Sequence, residues 1–325
     1  MRRRRFVAAL AGAALVPRLA RAKEHRRVGV IMSTSDADPR ERASLAAFVA
    51  TLARLGWVEG RNLTLDYRWG AGDAARMAAN ARAIVALAPD AILVKGANVP
   101  AARQATATIP LVFVSLSDAG AEEFVANFAR PGGNITGFTS NELTLVGKRL
   151  GLLREASPGL ERVLYLTSRT VGARTSDLVA RIDRYAAATG VTLVDGSAES
   201  GGALEAAIHA FAREPHGGMI AAFNAFITVH RDAIVALAAR YRLPAIYPLR
   251  SFVDGGGLMS YGFDQDEQFR QAAAYVDRIL RGAKPADLPV QEPTVFQFVL
   301  NLKTARAQGI AIPPTLLTQA DAAIE

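Results

Sequence analysis

Short apolar runs rich in β-branched residues alternate along this chain with longer stretches whose apolar residues recur every three or four positions. The first run, RRVGVIM at 26–32, reads as a strand buried on both faces, as in a parallel sheet. Leu45, Phe48, Val49, Leu52 and Leu55 then share one helical face, and Gly56 ends that helix. LTLDYRW at 63–69 alternates as a second strand. Asp73 is placed to cap a helix carrying Met77, Ala81, Ile84 and Val85. DAILVKG (90–96) and IPLVFVS (109–115) are further strands, with Pro100 where a helix can begin. Strand–helix alternation of this kind predicts a parallel α/β sheet.

The pattern then restarts. ERVLYLTSRT (161–170) parallels the first strand, and GGMIAAFNAF (217–226) parallels DAILVKGAN. LPAIYPL (243–249) parallels IPLVFVS, and GLMSYG (257–262) parallels NITGFTS (134–140). Helices are expected over 176–189, 203–213 and 229–240, with a strand, VTLVDG, at 191–196. The second copy is offset by about 135 residues, the spacing of a repeated α/β unit. Two similar lobes follow, and in such sheets ligands sit beyond the carboxyl ends of the strands.

The strand ends carry mostly neutral hydrogen-bonding groups. In the first half these are Ser33, Thr34, Ser35, Asn98, Ser115, Ser117 and Asp118; in the second, Thr167, Ser168, Asn224, Tyr247 and Arg250. Such a set suits a small polar ligand, with helix N-termini available for a carboxylate or phosphate. Each group taken singly also reads as a helix cap. Arg250 has two readings: a bidentate grip on a ligand carboxylate, or a surface ion pair with Asp254 or Asp264. Tyr247, Tyr261, Phe223 and Phe226 could wall an apolar ligand or sit in the core. The glycines at 255–257 precede a strand, so they read as a tight turn and not a dinucleotide fingerprint.

Catalytic chemistry finds little support. His25, His209, His216 and His230 share no motif with a serine or a carboxylate pair, and no P-loop, G-x-S-x-G or H-E-x-x-H is present. No metal or cofactor is expected. The chain has no cysteine, which excludes disulfides and thiolate chemistry.

The formal charge of +8 is local. Six of the 38 basic residues, Arg2, Arg3, Arg4, Arg5, Arg18 and Arg21, lie in the first 22 positions, and the rest nearly balance the 30 acidic ones. No basic stripe remains for a nucleic acid. The same N-terminus has an apolar run from Phe6 to Val16 followed by Ala20-Arg21-Ala22. Residues 1–22 therefore read as a signal peptide cut before Lys23. RRRF (3–6) leaves the twin-arginine route open, and an uncleaved anchor is the other reading.

Several stretches resemble the solute-binding components of ABC-type importers, in the subgroup that includes aromatic-amino-acid binders. They are LGWVEGRNLTLDYRW (55–69), ARPGGNITGFTS (129–140), LPAIYPLRSFVDGGGLMSYG (243–262), RILRGAKPADLPVQEPT (278–294) and NLKTARAQGIAIPPTLLTQAD (301–321). They occur in order along nearly the whole chain after the signal. The resemblance implies a type I-like periplasmic binding fold: two Rossmann-like lobes joined by a three-crossing hinge, near 135–139, 258–263 and 288–292. Lobe 1 would span 27–135 plus 264–288, and lobe 2 would span 139–258 plus 292–325. A monomer partnering an inner-membrane ABC permease is implied, with a ligand shell of Ser33, Thr34, Ser35, Asn98, Ser117, Asp118, Asn224, Tyr247, Arg250 and Tyr261. Two alternatives stay open: a periplasmic sensor that presents its bound state to a receptor, and an exported α/β enzyme using Asp118 or Asp264.

Overall fold

The structure, a computed structural model, describes residues 25–169 and 172–325. The side chains of 118, 119, 143 and 172–178 are also outside the description, as is the expected signal peptide.

Among the described residues twelve strands form two sheets. The first contains β1 (Arg26–Met32), β2 (Leu63–Trp69), β3 (Ala91–Lys95), β4 (Leu111–Leu116) and β5 (Ile135–Thr139), in the order β2-β1-β3-β4-β5, all parallel. The second contains β6 (Arg162–Ser168), β7 (Thr192–Ala198), β8 (Gly217–Ala221), β9 (Ala245–Tyr247), β10 (Met259–Phe263), β11 (Phe296–Asn301) and β12 (Ala322–Ile324). Its order is β12-β11-β10-β9-β8-β6-β7, and β11 runs antiparallel to β10. The helices are α1 (Pro39–Arg54), α2 (Ala74–Ala86), α3 (Val99–Ala105), α4 (Asp118–Ala121), α5 (Glu142–Ala156), α6 (Gly172–Ala188), α7 (Gly201–Phe211), α8 (Ala225–Val229), α9 (Arg231–Arg240), α10 (Arg250–Asp254), α11 (Gln265–Leu280), α12 (Leu302–Gln308) and α13 (Pro314–Gln319).

Each sheet is covered on both faces, which is why its strands read as near-continuous apolar runs. Val28 and Val30 of β1 pack with Phe48 and Leu52 of α1 and with Phe269 and Val276 of α11. Ile31, the next residue after Val30, joins the opposite core with Ile84, Ile92 and Phe113. In the second sheet Tyr165, Ile220, Ile246 and Phe298 pack with Leu150 and Leu153 of α5. Leu164, Leu166, Met219 and Tyr247 pack on the other side with Ile208, Ile234 and Phe252.

Asp73 caps α2 as its sequence position predicts, accepting from the Arg76 amide at 2.6 Å. The helix expected over 229–240 is α9, which starts two residues later because the chain breaks at His230, and Val229 ends the separate α8. There the Phe226 ring lies 4.5 Å from the imidazole, whose Nδ1 is 2.9 Å from the Phe226 carbonyl.

The chain passes from the first sheet to the second between β5 and α5, and returns between β10 and α11. It crosses again between 291 and β11. The passages thus follow β5 and β10, where the resemblance puts them inside those strands, because each strand is hydrogen-bonded into its own sheet to its last residue. Residues 288–291 run beside β5: Thr136 Oγ1 donates to the Leu288 carbonyl at 2.6 Å, and the Gln291 amide donates to Gly137 at 2.9 Å. The approach of β9 and β10 is equally close. A Cβ on Gly262 would lie 1.8 Å from the Pro248 carbonyl oxygen, so only glycine fits there.

Candidate functional site

The candidate site is the seam where the two lobes meet. Its first-lobe wall is the start of α1. Asp38 caps that helix by accepting from the Arg40 amide at 2.9 Å, and Pro39 supplies a first helical residue with no amide hydrogen to satisfy. The second Asp38 oxygen accepts from Arg231 Nη1 at 3.2 Å, at the start of α9 in the other lobe. Two residues on, Arg40 donates to Asp254 at the end of α10. The lobes are therefore bridged by two ion pairs of opposite sense.

Asp254 also accepts from Arg250 Nε at 3.3 Å. Arg250 and Arg40, from opposite lobes, thus converge on one carboxylate. Among the described residues Arg250 bonds Asp254 alone, and its side chain is 40 % exposed. These arginines line a cavity of about 210 Å³. Ser44, Gln265 and Asp266 contribute from the first lobe, and Pro248, Leu249, Ser251, Phe263 and Gln297 come from the second or from its crossing strand. Ser44 donates to Asp266 at 2.6 Å, which ties the starts of α1 and α11 together.

Deeper in the first lobe, Lys95 at the end of β3 forms a buried ion pair with Glu41 in the first turn of α1. Gln268 of α11 accepts from the Ser115 amide and hydroxyl, both at 3.2 Å, and donates to the Thr139 carbonyl at 2.6 Å. At the first passage between the lobes, Glu142 opens α5 with a carboxylate that is almost wholly buried. One of its oxygens accepts from the Phe223 amide at 3.0 Å and from Arg149 Nη1 at 2.8 Å. Arg149 Nε donates to the Tyr261 carbonyl at 2.8 Å. The Tyr165 phenol is pushed well above its ordinary pKa, chiefly by burial and then by Glu142, with Arg149 opposing. Among the described residues Thr34 Oγ1, Thr139 Oγ1, Ser140 Oγ and Glu142 Oε2 are buried without a hydrogen-bond partner, and so are Arg149 Nη2 and Tyr165 Oη beside Glu142.

The structure distributes the expected ligand residues among several roles. Arg250 lines the inter-lobe cavity. Ser33 and Thr34 lie at the end of β1, where their carbonyls accept from Gly72 and Ala71 at 2.8 and 2.9 Å. Asn98 is fully buried and donates to the Lys95 carbonyl at 3.1 Å. Ser35 accepts from the Ala37 amide, Ser117 accepts from the Gly120 amide, and Asn224 caps α8 by accepting from Ile227 at 2.9 Å. These three act as turn and helix caps. Asp118 begins α4, and its side chain is outside the described residues.

Two expected ligand residues pack against other aromatic rings. Tyr247 is 1 % exposed and stacks on Phe252 with ring centroids 5.0 Å apart. It faces Gly257, whose missing side chain makes the room, so its ring belongs to the second-lobe core. Tyr261 stacks on Phe296 at 6.1 Å and meets Phe298 edge-on at 6.5 Å. Gly262 and Phe263, at the end of β10, line the cavity, and Tyr261 does not.

Asp38, Arg40, Arg231, Asp254 and Glu142 were not singled out from the sequence as ligand-site groups. Asp38 and Arg40 sit in DADPRER, which reads as an ordinary capped helix start with solvated charges. Glu142 reads as an acidic first-turn residue favoured by the helix dipole. Among the described residues no group of acidic and histidine side chains could hold a metal ion, and no helix is long and apolar enough to cross a membrane.

Residues 28–324 match the family described as ABC transporter substrate binding protein. The chain is 22% identical over 263 residues to the tyrosine-binding protein of Clostridioides difficile (strain R20291), covering 80% of this chain and 74% of that one. A conserved domain protein from Vibrio cholerae superposes with a TM-score of 0.84 at 26% identity, covering 92% of this chain and 100% of the other. A Streptococcus pneumonia ABC domain solved in complex with L-Trp gives 0.85 at 22% identity, covering 93% and 100%.

Proposed function

We propose what this chain carries from the premise that it belongs to the ABC transporter substrate binding proteins. Its general role is that of the family: an extracytoplasmic, non-catalytic component that delivers a small ligand to a membrane permease. The ligand we propose is a carboxylate-bearing solute of amino-acid size, enclosed between the lobes. The observation that carries this reading is the convergence of Arg40 and Arg250 on one carboxylate at the wall of the inter-lobe cavity. Guanidinium groups match carboxylates in charge and in planar geometry. A solute carboxylate on Arg250 would sit where closure brings a second guanidinium from the other lobe. Closure is then favoured by contacts that exist only in the closed state, which is what a ligand-driven hinge requires. The relatives named for tyrosine and solved with L-Trp support an amino acid or a related acid.

Mass spectrometry of the small molecules that co-purify with the protein tests this reading. Calorimetric titration with L-tyrosine, L-tryptophan and their des-amino acids should follow. The expected result is a carboxylate-bearing compound in the first experiment and saturable binding of at least one acid in the second. A co-purifying neutral sugar, with no acid bound, would overturn it.

A further inference from the structure

We propose that Arg149 and Gln268 are a reciprocal pair of hinge clamps, which confine the motion of the lobes to Asn141, Asp264 and residues 292–294. This needs the lobes to move, and it holds whatever the solute is. Three observations carry it.

The first is a crossed arrangement. Arg149 belongs to α5, the helix after the first passage, and its Nε donates at 2.8 Å to the Tyr261 carbonyl, in the strand that enters the second passage. Its Nη1 donates at 2.8 Å to Glu142, in the first turn of its own helix. Gln268 belongs to α11, the helix after the second passage. Its Nε2 donates at 2.6 Å to the Thr139 carbonyl, at the end of the strand that enters the first passage. Its Oε1 accepts from the Ser115 amide and hydroxyl of β4, both at 3.2 Å. Each lobe thus has one side chain that ties the two passages together on its own side.

The second is burial. Arg149 is 0 % exposed and Gln268 is 2 % exposed. Arg149 Nη2 has no partner among the described residues, so its side-chain bonds go to the two passages. Hydrogen bonds sheltered from water are strong and costly to leave unmade, so each clamp holds its two segments as one body.

The third is what the clamps leave between them. The Ser140 amide donates to Leu116 of the first lobe at 2.8 Å, and the Glu142 carboxylate is held in the second by the Phe223 amide. The first passage therefore turns on Asn141. Its backbone is left-handed, with φ 50° and ψ 42°, and its side chain makes no cap hydrogen bond to α5. Asparagine tolerates that conformation better than most residues. Asp264 donates its amide to Val295 at 3.1 Å, while its side chain caps α11 by accepting from the Asp266 and Glu267 amides. It is the point the two lobes share at the second passage. At the third, Gln291 is bonded to Gly137 and Thr139 of β5, and β11 begins at Phe296. Hinges are a few element-terminal residues of this kind, which absorb the change in φ and ψ.

The experiment uses spin labels, since the chain has no cysteine of its own. Arg82→Cys on α2 and Glu205→Cys on α7, both exposed, place one label on each lobe. Pulsed electron resonance then reads the inter-lobe distance as sodium chloride, which screens the seam ion pairs, is raised from about 0.02 to about 1 M. The wild type should pass from a short distance to a longer one. Asn141→Ala should lower the ratio of closed to open molecules about fivefold relative to Asn141→Gly, because a Cβ disfavours left-handed backbone and glycine does not. Gln268→Leu removes the first-lobe clamp with little change of volume and should broaden the inter-lobe distribution. Arg149→Met should do the same, and Gln268→Leu serves alone if the loss of the buried cation beside Glu142 prevents folding. Labels at Arg61→Cys and Arg82→Cys, both in the first lobe, should keep one distance throughout. Equal ratios for Asn141→Ala and Asn141→Gly overturn the proposal, as does an unchanged inter-lobe distribution in a folded Gln268→Leu. A single wild-type distance at every salt concentration overturns it too. No solute is added, so these outcomes leave the carboxylate reading to its own titrations.

Discussion

Asp38 and Arg231 meet at 3.2 Å across the seam between the lobes, with side chains only 14 % and 18 % exposed. They are better sheltered than Arg40 and Asp254 beside them. The sheltered pair should therefore contribute more to closure, since screening by water and salt leaves exposed pairs at about 0–1 kcal/mol.

A double-mutant cycle on ligand affinity checks this. Asp38→Asn retains a good helix cap and removes only the charge. Combined with Arg231→Gln it should give a coupling energy of about 1 kcal/mol. The Arg40→Gln and Asp254→Asn cycle should give less. A coupling near zero for Asp38 and Arg231 would mean that the pair does not hold the closed state.

Small-angle scattering offers a second view of the same motion. Saturating ligand should shrink the radius of gyration. Charge removal at both ion pairs should enlarge the ligand-free molecule toward an open form. An unchanged radius in both comparisons would contradict hinge closure.

Arg250 sets up a sharper choice. If closure desolvates a pair between it and the solute carboxylate, Arg250→Ala should cost roughly 2–5 kcal/mol of binding. If the guanidinium serves only Asp254, the loss should stay within about 0–1 kcal/mol. Arg250→Lys should recover only part of the affinity, because an ammonium cannot make the bidentate contact. A titration of Arg250→Ala against wild type separates the two outcomes.

Gly262 tests the packing beneath the site. Its absent Cβ would fall 1.8 Å from a backbone carbonyl, which no rotamer change can relieve. Gly262→Ala should cost about 3 kcal/mol or more in urea denaturation. A loss below about 0.5 kcal/mol, the range of an ordinary surface substitution, would show that β9 and β10 can part there.

N-terminal sequencing of exported protein addresses the leader. Processing should leave Lys23, or a residue close to it, as the first. An intact N-terminus on cytoplasmic protein would remove that reading.

Much of the fold was legible because β1, β3, β4, β6 and β8 are covered on both faces and so read as unbroken apolar runs. Local signals such as the Asp73 cap also held. The seam was legible only at Arg250, where a strand end and a lone guanidinium coincide in sequence. The ion pairs that bridge the lobes join residues 193 and 214 positions apart, a separation that no local periodicity encodes. The placement of Tyr247 and Tyr261 was hidden for a related reason. A tyrosine at a strand end looks like a ligand wall, but which face it takes depends on neighbours such as Gly257 and Phe296, whose placement is tertiary.

The return of α11 to the first lobe bears on how the chain is made. Phe269, Ala272, Ala273 and Val276 complete a core whose other members begin at Val28. A nascent chain that has emerged only as far as β10 holds the strands of the first sheet with part of that core uncovered. The second sheet meanwhile still lacks β11 and β12. During synthesis the first lobe is therefore incomplete until α11 has emerged, and the second until β12 has. Synthesis therefore runs almost to its end with both lobes unfinished.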